Sequence, residues 1–304
     1  MPDDPNWPRA SAWLSGEHAA DPACRLAVLG APVHLGSISP GDAHMAPAAV
    51  RSVLHRLSTY DLEFDRDLSR VAAADLGDLA LADTRPAEAL EPIASAVRNA
   101  LAGADALVLL GGDNSITRPG CRGISPGLER AGLLTIDAHL DLRDLNPELT
   151  NGNPVRALLA DGLPGEQIVQ LGIQPFANSH AYYQVAREAG IKIIPVAEVR
   201  AMGIERAVEA ALDSLDQQVD AIYVDLDLDV LDRVFAPAAP GSRPGGLTPA
   251  DLRSAARMCG AHPKVRMMDL VEMDPAKDVS EVTAFAAALC LLSFASGLLR
   301  RFTR

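Results

Sequence analysis

Several things are scarce in this 304-residue chain, and each scarcity excludes something. There are only four cysteines, Cys24, Cys121, Cys259 and Cys290, with no CxxC or other ligand spacing, which excludes a disulfide scaffold and a cysteine-based zinc module. Aromatic residues are 4%, so the core must be built from Ala, Leu and Val. Cations are outnumbered, 27 Lys and Arg against 40 Asp and Glu. The resulting net charge of -13 argues against nucleic-acid partners and anionic membrane surfaces. No uninterrupted apolar run reaches the roughly 18 residues of a membrane span; the stretch from Ala284 to Phe294 is too short and carries Ser and Cys. No basic-then-apolar leader is visible either, so a cytoplasmic protein is expected. Linkers, 20–50-residue repeats and low-complexity blocks are also missing.

What is present is alternation. Apolar strand-like runs at 25–32, 71–79, 104–110, 133–136, 167–172, 191–196, 221–226 and 265–271 alternate with helical spacing at 46–57, 87–101, 153–160, 179–189, 205–215 and 282–299. Thr248 followed by Pro249 marks one further helix start. The pattern predicts an α/β protein: one three-layer αβα domain around a mostly parallel, roughly eight-stranded sheet. Residues 1–24, with Pro2, Pro5, Pro8 and Pro22, read as a loose N-terminal arm, and 25–304 as one folded domain. Sites in such sheets lie beyond the carboxyl ends of strands.

Two strand ends carry dense ligand chemistry. Asp137, His139 and Asp141 alternate with Ala138 and Leu140, so an extended backbone would put all three on one face. Asp225, Asp227 and Asp229 repeat the design. Carboxylates gathered beside an apolar strand repel one another unless a cation joins them. Carboxylates with a single imidazole suit Mn²⁺ or a similar divalent ion better than structural zinc, and two ions about 3.5–4 Å apart are compatible with the number of donors. Gly111-Gly-Asp-Asn114 and Glu272 end two other strands, and Asp232 reads as a salt-bridging or capping residue. His18, His55, His180 and His262 lack partners at ligand spacing; His34 and His44, in a Gly/Pro loop, are candidates for lining the site. No Ser has the His-Asp neighbours of a nucleophile.

Taken in order, these motifs resemble the ureohydrolase superfamily of arginases, agmatinases and formimidoylglutamases. Leu29-Gly-Ala-Pro-Val-His-Leu-Gly-Ser37 with Pro40-Gly41 and Ala46-Pro47 resembles its first-strand loop, and Gly111-Gly-Asp-Asn-Ser115 its GGDHS motif. Asp137-Ala-His-Leu-Asp141 matches DAHxD. Asp225-Leu-Asp-Leu-Asp-Val-Leu-Asp232 with Ala236-Pro237 and Pro240-Gly241 resembles SxDxDxxDP...APG, and Pro244-Gly-Gly-Leu-Thr248 and Val271-Glu-Met-Asp-Pro275 complete the set. The resemblance implies an arginase-like fold, a homo-oligomer, and two Mn²⁺ ions on six side chains. Five of these are Asp137, His139, Asp141, Asp227 and Asp229; the sixth, a family His, is Asn114, whose neutral oxygen predicts one weaker ion. Asp225 stands where the family has Ser, as an additional carboxylate near the ions.

Within the superfamily, Thr150-Asn-Gly-Asn-Pro-Val-Arg156, Arg143 and Phe176-Ala-Asn-Ser-His-Ala-Tyr182 resemble bacterial formimidoylglutamases, and Asn151 replaces a His of arginases and agmatinases. The implied reaction is hydrolysis of N-formimidoyl-L-glutamate to glutamate and formamide, in histidine degradation. The resemblance assigns the amidinium to Glu272, proton transfer to Asp141, and the small-molecule substrate's carboxylates to Arg143 and Arg156, with Asn151 beside them. An agmatinase or other guanidine hydrolase, and a catalytically silent metabolite-binding member, are the alternatives.

Overall fold

The computed structural model describes residues 4, 6–17, 19 and 21–302. Ten strands are described: β1 Cys24–Ala31, β2 Tyr60–Asp61, β3 Arg66–Asp67, β4 Val71–Asp78, β5 Ala106–Gly111, β6 Ala131–Ile136, β7 Ile168–Ile173, β8 Lys192–Pro195, β9 Ala221–Leu226 and β10 Val265–Leu270. β2 and β3 form a small antiparallel hairpin; the other eight form one sheet in the order β4-β1-β5-β10-β9-β6-β7-β8, every pair parallel. β5, β6 and β7 are buried along their whole length, which is why they read as unbroken apolar runs rather than as alternation. Apolar clusters cover both faces, one including Val28, Val108, Leu134 and Val224, the other Leu107, Leu133, Tyr223 and Met267. The exposed β4 edge carries Asp75 and Asp78, both gripped by Arg51 at 2.6–2.8 Å, which keeps the edge polar.

The helix Val282–Arg300 has the length and composition of a membrane span, yet most of it is buried in the protein. It packs on the helix Pro249–Ala261, where Gly260 and Gly297 each meet the other helix's backbone so closely that a Cβ would overlap it. Pro249–Ala261 starts at the predicted Thr248 cap, which forms a reciprocal capping box with Asp251.

The N-terminal arm is less loose than its prolines suggest. Ala10–Leu14 is a short helix; Trp13 is buried and donates its indole N–H to the Val71 carbonyl at 2.8 Å. Its apolar residues are too few to show a period, so only docking reveals it. Pro2, Pro5 and His18 lie outside the described residues. The helices Thr117–Ile124 and Val196–Met202 and the β2–β3 hairpin were also not visible as patterns, being short or dominated by Gly, Pro and charge.

Candidate metal centre and active site

Four adjacent central strands, β5, β10, β9 and β6, deliver the site. Asn114 follows β5, Glu272 follows β10, Asp227 and Asp229 follow β9, and Asp137 to Asp141 follow β6. β9 and β10 are inserted between two strands that are consecutive in the chain, so the connections leave a crevice at their carboxyl ends. A cavity of about 280 Å³ opens there, lined among others by His139, Asp141, Asp227, Asp229 and Glu272.

The ligand residues converge, but not by strand alternation. β6 ends at Ile136 and Asp141 has φ 53°, so Asp137, His139 and Asp141 lie on a bent loop. β9 ends at Leu226, and Asp227 caps a 3₁₀ turn, Leu228–Val230, that contains Asp229. The expectation of shared strand faces is therefore corrected: bends after the strands gather these groups. Asp225 stays inside β9, wholly buried and paired in register with Thr135, one layer below the cavity. Two polar side chains from distant positions pin the β6 loop. Asn178 accepts from Leu140 N at 2.7 Å and donates to Ala138 O at 3.1 Å, and Gln170 donates to Leu140 O at 3.0 Å. Neither was found from sequence, since amides 30–40 positions away follow no spacing rule.

Candidate ligand atoms of Asp137, His139 and Asp229 lie within 4.8 Å of one another. His139 Nδ1 is 2.9 Å from Asp229 Oδ2 and 3.4 Å from Asp137 Oδ1. Asp137 Oδ2 is buried with no hydrogen-bond partner among the described residues. Burial opposes a charge on His139, but Asp229 and Asp137 prevail and push it up to about 11. Burial, with Asp229 beside it, pushes Asp137 up to about 7. Burial first, then neighbouring carboxylates, raises Asp141 and Asp227 well above the usual carboxylate range; Asp229 alone is held below it, because His139 outweighs burial. One imidazole cannot neutralise this many buried acids. The donor set and the orphaned oxygen fit a divalent cation. Gly241 leaves room for the cage, since a Cβ there would overlap Asp229 Oδ2.

The Asn114 side is arranged differently. Its Nδ2 donates to Asp141 Oδ2 at 2.5 Å, and its Oδ1 accepts the Thr117 hydroxyl at 2.5 Å. Thr117 also reaches Asp269, which takes a bond from Tyr223 at 2.5 Å. The oxygen expected to ligate is thus turned toward Thr117, and the amide nitrogen faces Asp141.

Glu272, at φ 64°, accepts from Asn114 N at 2.8 Å and Asn151 Nδ2 at 2.9 Å, both on Oε1. No arginine pairs with it among the described residues. Burial and the nearby Asp113 push it up to about 8, against the pull of Asn151 and Asn114. Glu272 and Asp141 are non-glycine residues in the left-handed region, a strain commonly concentrated at functional sites. Asn151 Oδ1 accepts from Ile38 N at 3.0 Å, so it joins Glu272 to the first-strand loop.

Arg143 lines the cavity, packed on Gly152, and its guanidinium has no hydrogen-bond or ion-pair partner among the described residues. Arg156 does not line the cavity; it points to Asp144 at 3.8 Å. His34 and His44 also miss the cavity and stack on each other, with ring centroids 4.4 Å apart. Asp232 caps its own loop, accepting from Val234 N and Gly245 N at 3.0 and 2.7 Å. A larger hollow of about 730 Å³ beside the β2–β3 hairpin contains arginines already paired to Glu63 and Glu205.

The chain is similar to known proteins over most of its length. A sequence model of the arginase family matches residues 24–296. The chain is 36% identical over 274 residues to a formimidoylglutamase of Halalkalibacterium halodurans, covering 89% of this chain and 86% of that one. It is 32% identical over 278 residues to that of Bacillus subtilis, covering 90% and 86%. The crystal structure of the B. subtilis formimidoylglutamase superposes with a TM-score of 0.90 at 29% identity, covering 98% of this chain and 94% of that one. Trypanosoma cruzi formiminoglutamase, solved with Mn²⁺, gives 0.87 at 26%, covering 97% and 99%.

Proposed function

The chain belongs to the arginase family, and we propose that it hydrolyses N-formimidoyl-L-glutamate to L-glutamate and formamide with Mn²⁺ as cofactor. As a family member it is a hydrolase. The substrate reading rests on one observation: a cavity with an acidic floor of Asp141, Asp227, Asp229 and Glu272 also contains Arg143, a cation with no acidic partner. That charge layout matches a cationic amidine joined to carboxylates.

Asp137, His139, Asp141, Asp227 and Asp229 would hold the metal, with Asn114 as a sixth, poorer donor. A divalent ion in such a cage lowers the pKa of water toward neutrality and so supplies the nucleophile. Glu272 holds the amidinium N–H groups and aims the carbon at the attacking oxygen; Asn114 N and Asn151 Nδ2 fix its carboxylate in place. Asp141 takes the proton that the attacking water gives up and passes it to the leaving glutamate nitrogen, so one C–N bond breaks as one C–O bond forms. Arg143 binds substrate carboxylate through its planar fork.

Turnover of N-formimidoyl-L-glutamate, agmatine, arginine and 4-guanidinobutyrate by the Mn²⁺-loaded protein tests this. We expect activity on the first and almost none on agmatine, whose amine would meet Arg143. Two like charges at about 4 Å cost about 4 kcal/mol even at an effective dielectric near 20. Equal turnover of agmatine overturns the reading.

A further inference from the structure

The cavity contains a second arginine that no motif marked. Arg243 sits in the Gly- and Pro-rich loop after Asp232 and lines the same space as Arg143. Its Nη1 lies 2.8 Å from His139 Nε2 and donates to the Gly241 carbonyl at 2.7 Å. No carboxylate pairs with it among the described residues, although Asp229 and Asp137 stand just across the imidazole, on its Nδ1 side. With only Nη1 engaged and no carboxylate paired to it among the described residues, the guanidinium keeps its Nη2 and Nε N–H groups available for an anion.

Two cations from separate loops, both without acidic partners among the described residues, thus share one cavity with Asp141, Asp227, Asp229 and Glu272. The substrate proposed above carries two carboxylates. Its α-carboxylate carbon is three bonds from the amidine carbon, and the distal one is five. Arg243 touches His139, a candidate ligand, and is half-buried; Arg143 is exposed, against Gly152. We propose that Arg243 binds the α-carboxylate while Arg143 takes the distal one, so that Arg243 selects α-amino-acid-derived amidines; this rests on the substrate reading above.

The test uses the full-length, Mn²⁺-loaded protein and two substrates, N-formimidoyl-L-glutamate and N-formimidoyl-4-aminobutyrate, which lacks the α-carboxylate. Arg243→Gln should raise KM for the dicarboxylate roughly tenfold or more, as expected for a lost charge-assisted bond. Its effect on the monocarboxylate should be several-fold smaller, and Arg143→Gln should raise both. Arg243→Lys should recover part of the loss, keeping the charge without the fork. Calorimetric binding of L-glutamate and 4-aminobutyrate should show the same contrast without turnover, with manganese content unchanged. An equal effect of Arg243→Gln on both substrates, or a fall in its manganese content, overturns the assignment and leaves Arg243 as a support for His139. Inactivity of the unaltered protein on both compounds instead overturns the substrate reading, and this proposal with it.

Discussion

The two sides of the metal centre are built from similar residues but stand in opposite states. On the side of Asp137, His139 and Asp229, three donors converge within 4.8 Å and a buried carboxylate oxygen has no partner. On the side of Asn114 and Asp141, the amide satisfies itself, one end on Asp141 and the other on Thr117. The first arrangement leaves a buried carboxylate oxygen bare; in the second the amide is satisfied at both ends, although burial and neighbouring acids push Asp141 up there as well. The Asn114 amide must turn before its oxygen can face the site, whereas an imidazole in its place would present a nitrogen lone pair. The difference teaches that the side chain at one position can decide how firmly half a centre is prepared.

The largest expected effect follows from breaking the side with the bare oxygen. Asp229→Asn should lower Mn²⁺ affinity by more than the 10–100-fold typical of outer-shell partners, with activity falling in parallel. Asn114→Ala should cost much less; equal losses in calorimetric titrations would show that the two sides are equivalent after all.

A second effect separates the sides by pH. In metal-stripped protein Asp137, Glu272 and His139 all sit above their ordinary values, at about 7, 8 and 11. The folded state then holds protons that the unfolded state has released, so the slope of stability against pH is negative from about pH 4 upward. The His139 contribution is complete below its unfolded value near 6.5 and is lost toward 11. Stripped protein should therefore melt at a lower temperature at pH 8 than at pH 5, while Mn²⁺ stabilises most at pH 8, where its ligands are deprotonated. Scanning calorimetry with and without chelator measures both; a flat profile for stripped protein would mean that the cage is not under charge strain.

The smallest effect sharpens the satisfied side. The natural protein should bind one Mn²⁺ tightly and a second more weakly, and Asn114→His should tighten the second several-fold. Two equally tight sites in the natural protein would show that Asn114 turns its oxygen inward at little cost, or that another group such as Asp225 replaces it.

Much of the molecule was legible in the chain. Parallel strands buried on both faces need continuous apolar runs, so the eight-stranded sheet could be read from Leu107, Leu133 and their neighbours. Ligand residues at strand ends were legible because many acids beside apolar runs have few structural uses. Their geometry was not: the bends at Asp141 and Asp227 defeated the same-face argument while producing the same cluster. The resemblance points to Arg156 and a Gly/Pro loop to His34 and His44, and in the structure Arg156 reaches Asp144 while the two histidines contact each other. Arg243 went unnoticed because its loop reads only as turns.

The sequence by itself determined the layer architecture, the order of the strands' ligand-bearing ends and the surplus of acid over cation at them. These depend on local periodicity and composition, which any stretch of chain displays on its own. Only tertiary structure decided which oxygen of Asp137 is left bare, which end of Asn114 faces Asp141, and that Asn151 holds Glu272. Those outcomes depend on groups brought together from up to 121 residues apart, where the choice of partner is settled by competition for buried hydrogen bonds rather than by anything adjacent in the chain.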